Sequence, residues 1–203
     1  MVTQIATQSP TRHRFFLLFL IALFIVPLLL AWLLVGHWQP SSTVNHGELL
    51  APAQPVPHLQ VQQADGQLLN KAYLQKHWTL TYIGSGGCAA APCRQALYKI
   101  RQVRLALGKD MSRAQTLYMT TEKPAPRLLD WLDREHGAMT TGMIDAQTLR
   151  FFSQAFPDGS AAVGEWVYLI DPLGNLLMRY HVDANPKGIL EDLERLLKYS
   201  KIG

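Results

Sequence analysis

The chain holds two cysteines, Cys88 and Cys93, and no others among its 203 residues. They sit in Ser85-Gly-Gly-Cys-Ala-Ala-Ala-Pro-Cys-Arg94, after an apolar run and before an amphipathic one. Two thiols this close in sequence can exchange electrons as dithiol and disulfide, hold a soft metal ion, or cross-link a loop. Five steps along a regular helix would carry Cys93 roughly 140° around and about 7.5 Å along from Cys88. A disulfide needs Cα atoms about 4.4–6.8 Å apart, so the two cannot share a regular helix and bond. Pro92 disfavours a helical Ala91 and suits the first helical position. That places Cys88 in a loop and Cys93 in the first turn of a helix. There Cys93 meets the positive end of the helix dipole with Arg94 beside it, and both favour thiolate, making Cys93 the better metal ligand and leaving group. Gly84, Gly86 and Gly87 permit the tight turn and leave the site open to a partner. The other reading is a structural disulfide. It would close a very short loop and so constrain the unfolded chain little. Zinc is a poor fit, because two cysteines without a matching Cys/His set fall short of four ligands.

Other residues that could ligate or titrate are scattered. His46 and His58 lie in or near a proline-rich stretch, His77 precedes a strand, His136 ends a helix, and His181 follows a strand. Met119, Met139, Met143 and Met178 are soft sulfur donors at positions that suit core packing. Asp133, Glu135 and Glu165 form no acid/base constellation. Seventeen of the nineteen Lys and Arg and all fifteen Asp and Glu lie beyond residue 36, an excess of two positive charges. That bias is too weak to point to a nucleic-acid partner.

The elements that must position the thiols follow from punctuation and periodicity. Leu59-Gln-Val-Gln alternates and Asp65-Gly66 turns the chain, the start of a hairpin. Trp78–Ile83 is rich in β-formers and reads as a central strand. Pro92–Leu107 places apolar residues on one helix face and closes at Gly108. Gln115–Thr120 is a second strand, Pro126–His136 a helix, and Asp145–Gln154 a short helix capped by Asp145. Trp166–Ile170, a turn at Asp171-Pro-Leu-Gly174, and Asn175–His181 make a hairpin. Pro186–Tyr199 is a terminal amphipathic helix. Strands alternating with helices, then a hairpin and a last helix, follow the order of an α/β thioredoxin-like domain, with the strands before and after the first helix parallel. Residues 58–203 form that domain and residues 37–57, with four prolines, a linker.

Phe15–Val35 carries no charge, and its twenty-one residues span roughly 30 Å, the thickness of a bilayer core. The sequence thus predicts a single transmembrane helix over 15–36, with Pro27 tolerated inside it and Trp32 and Trp38 toward its far end. A signal peptide has an apolar core of roughly 7–15 residues and an Ala-x-Ala site, which this run does not match. Arg12 and Arg14 precede the helix, and no Lys or Arg follows until Lys71. Residues 1–14 are therefore expected in the cytoplasm and the domain outside it. In a bacterium that means an inner-membrane anchor and a periplasmic domain, where disulfides form.

With its anchor, the strand Trp78–Ile83, the cysteine loop and Tyr168-Leu-Ile-Asp-Pro-Leu-Gly174 in this order, the chain resembles the Sco/SenC family over roughly residues 45–200. The resemblance implies a membrane-anchored thioredoxin-like fold acting in cytochrome c oxidase copper-site assembly. It also implies Cys88 and Cys93 as the functional residues, with Cu(I) as the metal in question. The partner implied is a copper-receiving oxidase subunit or its assembly factors. Two positions depart from the family pattern. Four residues separate the cysteines instead of three. Val163 stands where the family's third ligand, a histidine, is expected. The reading is a divergent relative that works by dithiol/disulfide exchange or by transient Cu(I) handling. The contrasting class is a non-catalytic assembly scaffold with a structural disulfide.

Overall fold

A computed structural model describes residues 10–34, 44–157 and 162–200, in two units divided between Val44 and Asn45. The first unit is one helix, α1 (Pro10–Leu34), with Pro27 inside it. It begins before the predicted span, and residues 35–36 lie outside the described residues. Its stretch Arg14–Leu34 is long and apolar enough to cross a membrane, and its large side chains are exposed.

The second unit is built on an eight-stranded sheet in the order β1-β8-β7-β4-β5-β6-β2-β3. The strands are β1 (Glu48–Pro55), β2 (Val61–Gln62), β3 (Leu68–Leu69), β4 (Trp78–Gly84), β5 (Ala114–Thr120), β6 (Met139–Ile144), β7 (Trp166–Ile170) and β8 (Asn175–His181). The helices are α2 (Ala91–Ala106), α3 (Pro126–His136), α4 (Ala146–Gln154) and α5 (Pro186–Tyr199). β4 is central and buried over six of its seven residues. It pairs parallel with β5 and antiparallel with β7, so the expected β4–α2–β5 crossover is present. A second crossover, β5–α3–β6, extends the parallel part.

Two apolar layers sandwich the sheet. On one face Leu97, Ile100 and Val103 of α2, Leu128 and Leu132 of α3, and Ile189, Leu193 and Leu197 of α5 pack with Leu80 and Leu169. On the other, Phe152 and Phe156 pack with Ile83, Leu117, Tyr168 and Ile170. Asp145 caps α4 as expected, accepting from the Thr148 N–H at 2.8 Å. α2 starts one residue before Pro92, and Gly108 follows it with φ +56°, the left-handed end that glycine suits.

Two strands escape the sequence reading. β6 contains Gly142, which lies against the backbone of Gln62; a Cβ there would come within 2.6 Å of the Gln62 carbonyl oxygen. β1 corrects the expected linker over 37–57. Residues 48–55 form the sheet's edge strand against β8, and the ladder breaks between Leu49 and Gln54, around Pro52. Prolines are tolerated at just such an edge and irregularity. The start of β1 is fastened by a buried carboxylate. Asp192 accepts from the backbone N–H groups of His46 (2.8 Å) and Gly47 (3.1 Å) and from the Tyr180 hydroxyl (3.3 Å). Glu48 pairs with Arg179, whose guanidinium lies between Trp166 (3.8 Å) and Phe156 (4.2 Å).

Candidate functional site

β4 delivers the chain to the carboxyl end of the parallel strands at Gly84, and the next six residues form the cysteine loop. Backbone bonds tie that loop to the segment after β5. Thr121 N–H donates to Gly84 O (3.0 Å) and Ala125 N–H to Gly86 O (2.8 Å). Gly86 allows this closeness, since a Cβ there would lie 2.4 Å from Lys123 O. Cys88 N–H then donates back to Ser85 O at 3.2 Å, closing a turn. Cys88 itself sits at φ +42°, in the left-handed region that costs a side-chain-bearing residue roughly 1–2 kcal/mol.

Cys93 lies in the first turn of α2, where its N–H donates to Ala90 O at 3.1 Å. The two cysteines form a disulfide with Cα atoms 5.5 Å apart. This is the arrangement that their types and spacing predict: Cys88 in the loop, Cys93 in the helix, near enough to bond. Both are covered, Cys88 being 1% and Cys93 5% exposed. Cys88 lines a small cleft with Gly87, Arg94, Arg127, Leu128 and Trp131, and Cys93 does not. Arg94 donates through Nε to Cys88 O (3.4 Å), and its guanidinium lies 5.9 Å from the Trp131 ring.

Under the loop stand two tyrosines that the sequence reading did not single out. Tyr118 Oη donates to Ser85 O at 2.6 Å and lies 3.5 Å from Cys93 Sγ. Its ring stacks parallel to Tyr82 at 6.0 Å, and Tyr82 Oη donates to Gly164 O at 2.7 Å. Burial, and after it the neighbouring Tyr82, hold the Tyr118 phenol well above its ordinary range. Burial also raises Tyr82. Tyr118 is thus a hydroxyl donor at any working pH. The signal available in sequence was register: a parallel β4–β5 pair sets Tyr82 beside Tyr118, one strand from the loop.

The remaining candidates lie elsewhere. Val163 packs against the layer opposite the one that contains both cysteines. His181 is half exposed, pairs with Asp183 at 3.5 Å and meets the Trp166 ring at 5.4 Å. His46 pairs with Asp192 and Glu191. Met119 and Met178 are core residues of opposite faces. Among the described residues no group of three His, Cys, Asp or Glu side chains forms a metal cage. Among the described residues the donors at the loop are the two sulfurs, which once reduced to thiolates would suit a soft monovalent ion such as Cu(I).

A cysteine pair at the turn from a central strand into the first crossover helix, on a mixed sheet covered by helices on both faces, defines a thioredoxin-like domain. Residues 78–200 match the family model described as "Transmembrane-like, thioredoxin-like, C-terminal domain", and the chain belongs to that family. No curated protein matches the sequence. Solved structures match by fold. Copper-bound yeast Sco1 is 16% identical, with a TM-score of 0.59 over 73% of this chain and 95% of its own. BsSco, a Sco-family cytochrome c oxidase assembly protein with a disulfide switch, is 15% identical with a TM-score of 0.55, over 73% and 96%. A thiol:disulfide interchange protein from Bacteroides sp. is 12% identical with a TM-score of 0.53, over 75% and 93%. The likeness to Sco proteins read from the sequence is thus present in the fold.

Proposed function

We propose that this chain is a membrane-anchored dithiol–disulfide exchange protein serving cytochrome c oxidase assembly. The observation that carries the proposal is the Cys88–Cys93 disulfide, set across the loop and first turn of α2 with Cα atoms 5.5 Å apart on a Sco-like fold. A partner thiolate attacks Cys88 Sγ as the covering loop opens beside the cleft that Cys88 lines, and a mixed disulfide forms. The electron pair of the broken bond leaves on Cys93 Sγ, where the α2 N-terminus and the Tyr118 hydroxyl stabilise the thiolate. A second partner thiolate then displaces Cys88, leaving the partner oxidised and the domain as a dithiol. Run in reverse, the same steps reduce a partner's disulfide. α1 holds the domain at a bacterial inner membrane, and Arg12 and Arg14 at the helix's N-terminal end keep the N-terminus cytoplasmic and the domain periplasmic. The partner is an oxidase subunit that receives copper, or one of its assembly factors.

A second reading rests on the donor set. Reduced, Cys88 and Cys93 offer two soft sulfurs for Cu(I) as cargo, and Sco1 from yeast has been solved with copper bound. One experiment on the full chain in detergent separates the readings. The disulfide is equilibrated with glutathione buffers, trapped by alkylation, and the dithiol form is titrated with Cu(I) and Cu(II). Exchange chemistry predicts reversible pairing, lost in Cys88→Ser and Cys93→Ser. Cargo chemistry adds one Cu(I) per dithiol, lost in the same variants, with Cu(II) weak. Thiols that never pair under oxidising buffers sink the exchange reading, and an absence of Cu(I) uptake sinks the second. A periplasm-only reporter fused after Gly203 is expected to be active; activity of a cytoplasm-only reporter there would overturn the orientation.

A further inference from the structure

The cleft beside Cys88 carries two cations and no carboxylate. Arg94 enters from the first turn of α2, and Arg127 from that of α3, with Leu128 and Trp131 as its apolar wall. Arg94 spends Nε on Cys88 O and lies over Trp131, an arrangement that fixes the guanidinium plane. Neither arginine has an acidic partner among the described residues; the ion pairs of the domain lie elsewhere. Neither helix has an acidic residue in its first turn. Two planar guanidinium groups with free N–H donors beside a reactive bond match an oxyanion, and the oxyanion that a cysteine-bearing protein segment carries is the carboxylate of Asp or Glu.

Resting on the exchange reading above, we infer that the cleft selects the partner by charge: it takes an Asp or Glu side chain next to the reacting cysteine of a protein segment. A protein segment offers a thiol and a neighbouring carboxylate on one chain, the pair that the cleft's Cys88 and Arg127 would meet together. The attraction acts before the bond exchange. It raises the local concentration of the partner thiol and fixes its register, so it appears in the rate of mixed-disulfide formation and falls with salt.

The test uses the full chain in detergent, in its disulfide form, with three synthetic peptides that differ only in the residue before a single cysteine: Asp, Asn or Lys. Mixed-disulfide formation is followed by acid quench and mass, and each rate is divided by the same peptide's rate with a neutral model disulfide. That ratio removes the effect of the neighbour on the thiol's own pKa. We expect the Asp peptide to react about fivefold or more faster than the Asn peptide at low salt, and the Lys peptide to be slowest. The gap is expected to close near 0.5 M salt. Arg127→Gln should shrink it and Arg127→Lys restore part of it. Equal ratios for the three peptides, or a gap that Arg127→Gln leaves intact, overturn the inference while dithiothreitol still reduces the disulfide. If 3-mercaptopropionate gains as much over cysteamine as the Asp peptide gains over the Lys peptide, the segment is dispensable and the proposed partner is wrong. If neither dithiothreitol nor any peptide opens the disulfide, the exchange reading itself fails.

Discussion

At the scale of single residues, Tyr118 decides how the cysteine loop is held and how a Cys93 thiolate is received. In the disulfide form its one proton goes to Ser85 O. Once Cys93 carries charge, the same hydroxyl, 3.5 Å away, can turn its proton to the sulfur. Tyr118→Phe removes both options. The variant is expected to lose about 1–2 kcal/mol in urea unfolding, since Ser85 O keeps only its bond from Cys88. Its disulfide is expected to be less oxidising by on the order of 20–30 mV, because the dithiol form loses a donor. Redox titration against glutathione reads the second effect apart from the first. An unchanged potential with lowered stability would make Tyr118 a loop support alone. The cysteines were legible from sequence because proline, glycine and spacing act locally. Tyr118, Arg127 and Trp131 were not, because their place beside the loop depends on which strand and which helix become neighbours.

At the scale of elements, the loop after β4 and the segment after β5 behave as one piece, joined by the Gly84–Thr121 and Gly86–Ala125 backbone bonds. Gly86→Ala puts a methyl against the Lys123 backbone, which cannot swing aside as a side chain would. The expected outcome is a loss of about 1–3 kcal/mol in unfolding free energy and faster alkylation of the reduced cysteines, since the loop is pushed off its support. Unaltered alkylation rates would show the two segments to be independent. The helices and four central strands were readable because each carries its own period and its own stop. The misses share a cause. β1 is written in prolines and gains its strand character only from β8, Asp192 and Arg179. β6 has a glycine where β2 crosses close and becomes a strand only beside β5. Propensity sees neither, because tertiary pairing supplies what the local sequence lacks.

At the scale of the whole domain, one buried titratable group links stability to pH. His136 is 5% exposed, its ring meets Trp131 at 4.7 Å, and its Nδ1 has no hydrogen-bond partner among the described residues. Burial lowers its pKa, the Arg101 charge lowers it further, and Glu135 opposes them. Protonation therefore costs more in the folded than in the unfolded chain. Between the folded pKa and the unfolded value near 6.5 the unfolded state binds more protons, so stability falls as pH drops through that window. Urea midpoints of wild type and His136→Phe, compared at pH 7.5 and 5.5, should show the wild type losing more on acidification. A wild type that gains on the variant at pH 5.5 would reverse the sign.

The cover over the two sulfurs has a consequence in time. A bond with 1% and 5% exposure at its ends can be attacked only in the fraction of molecules whose loop stands momentarily open. When thiol is scarce, the reaction rate scales with that fraction and with concentration. When thiol is plentiful, it stops rising and becomes the opening rate itself, the same for every attacker quick enough to catch the open form. Small reductants in the surroundings then compete poorly with a bound partner, which waits at the cleft until the loop yields. The domain keeps its disulfide by being slow to strangers.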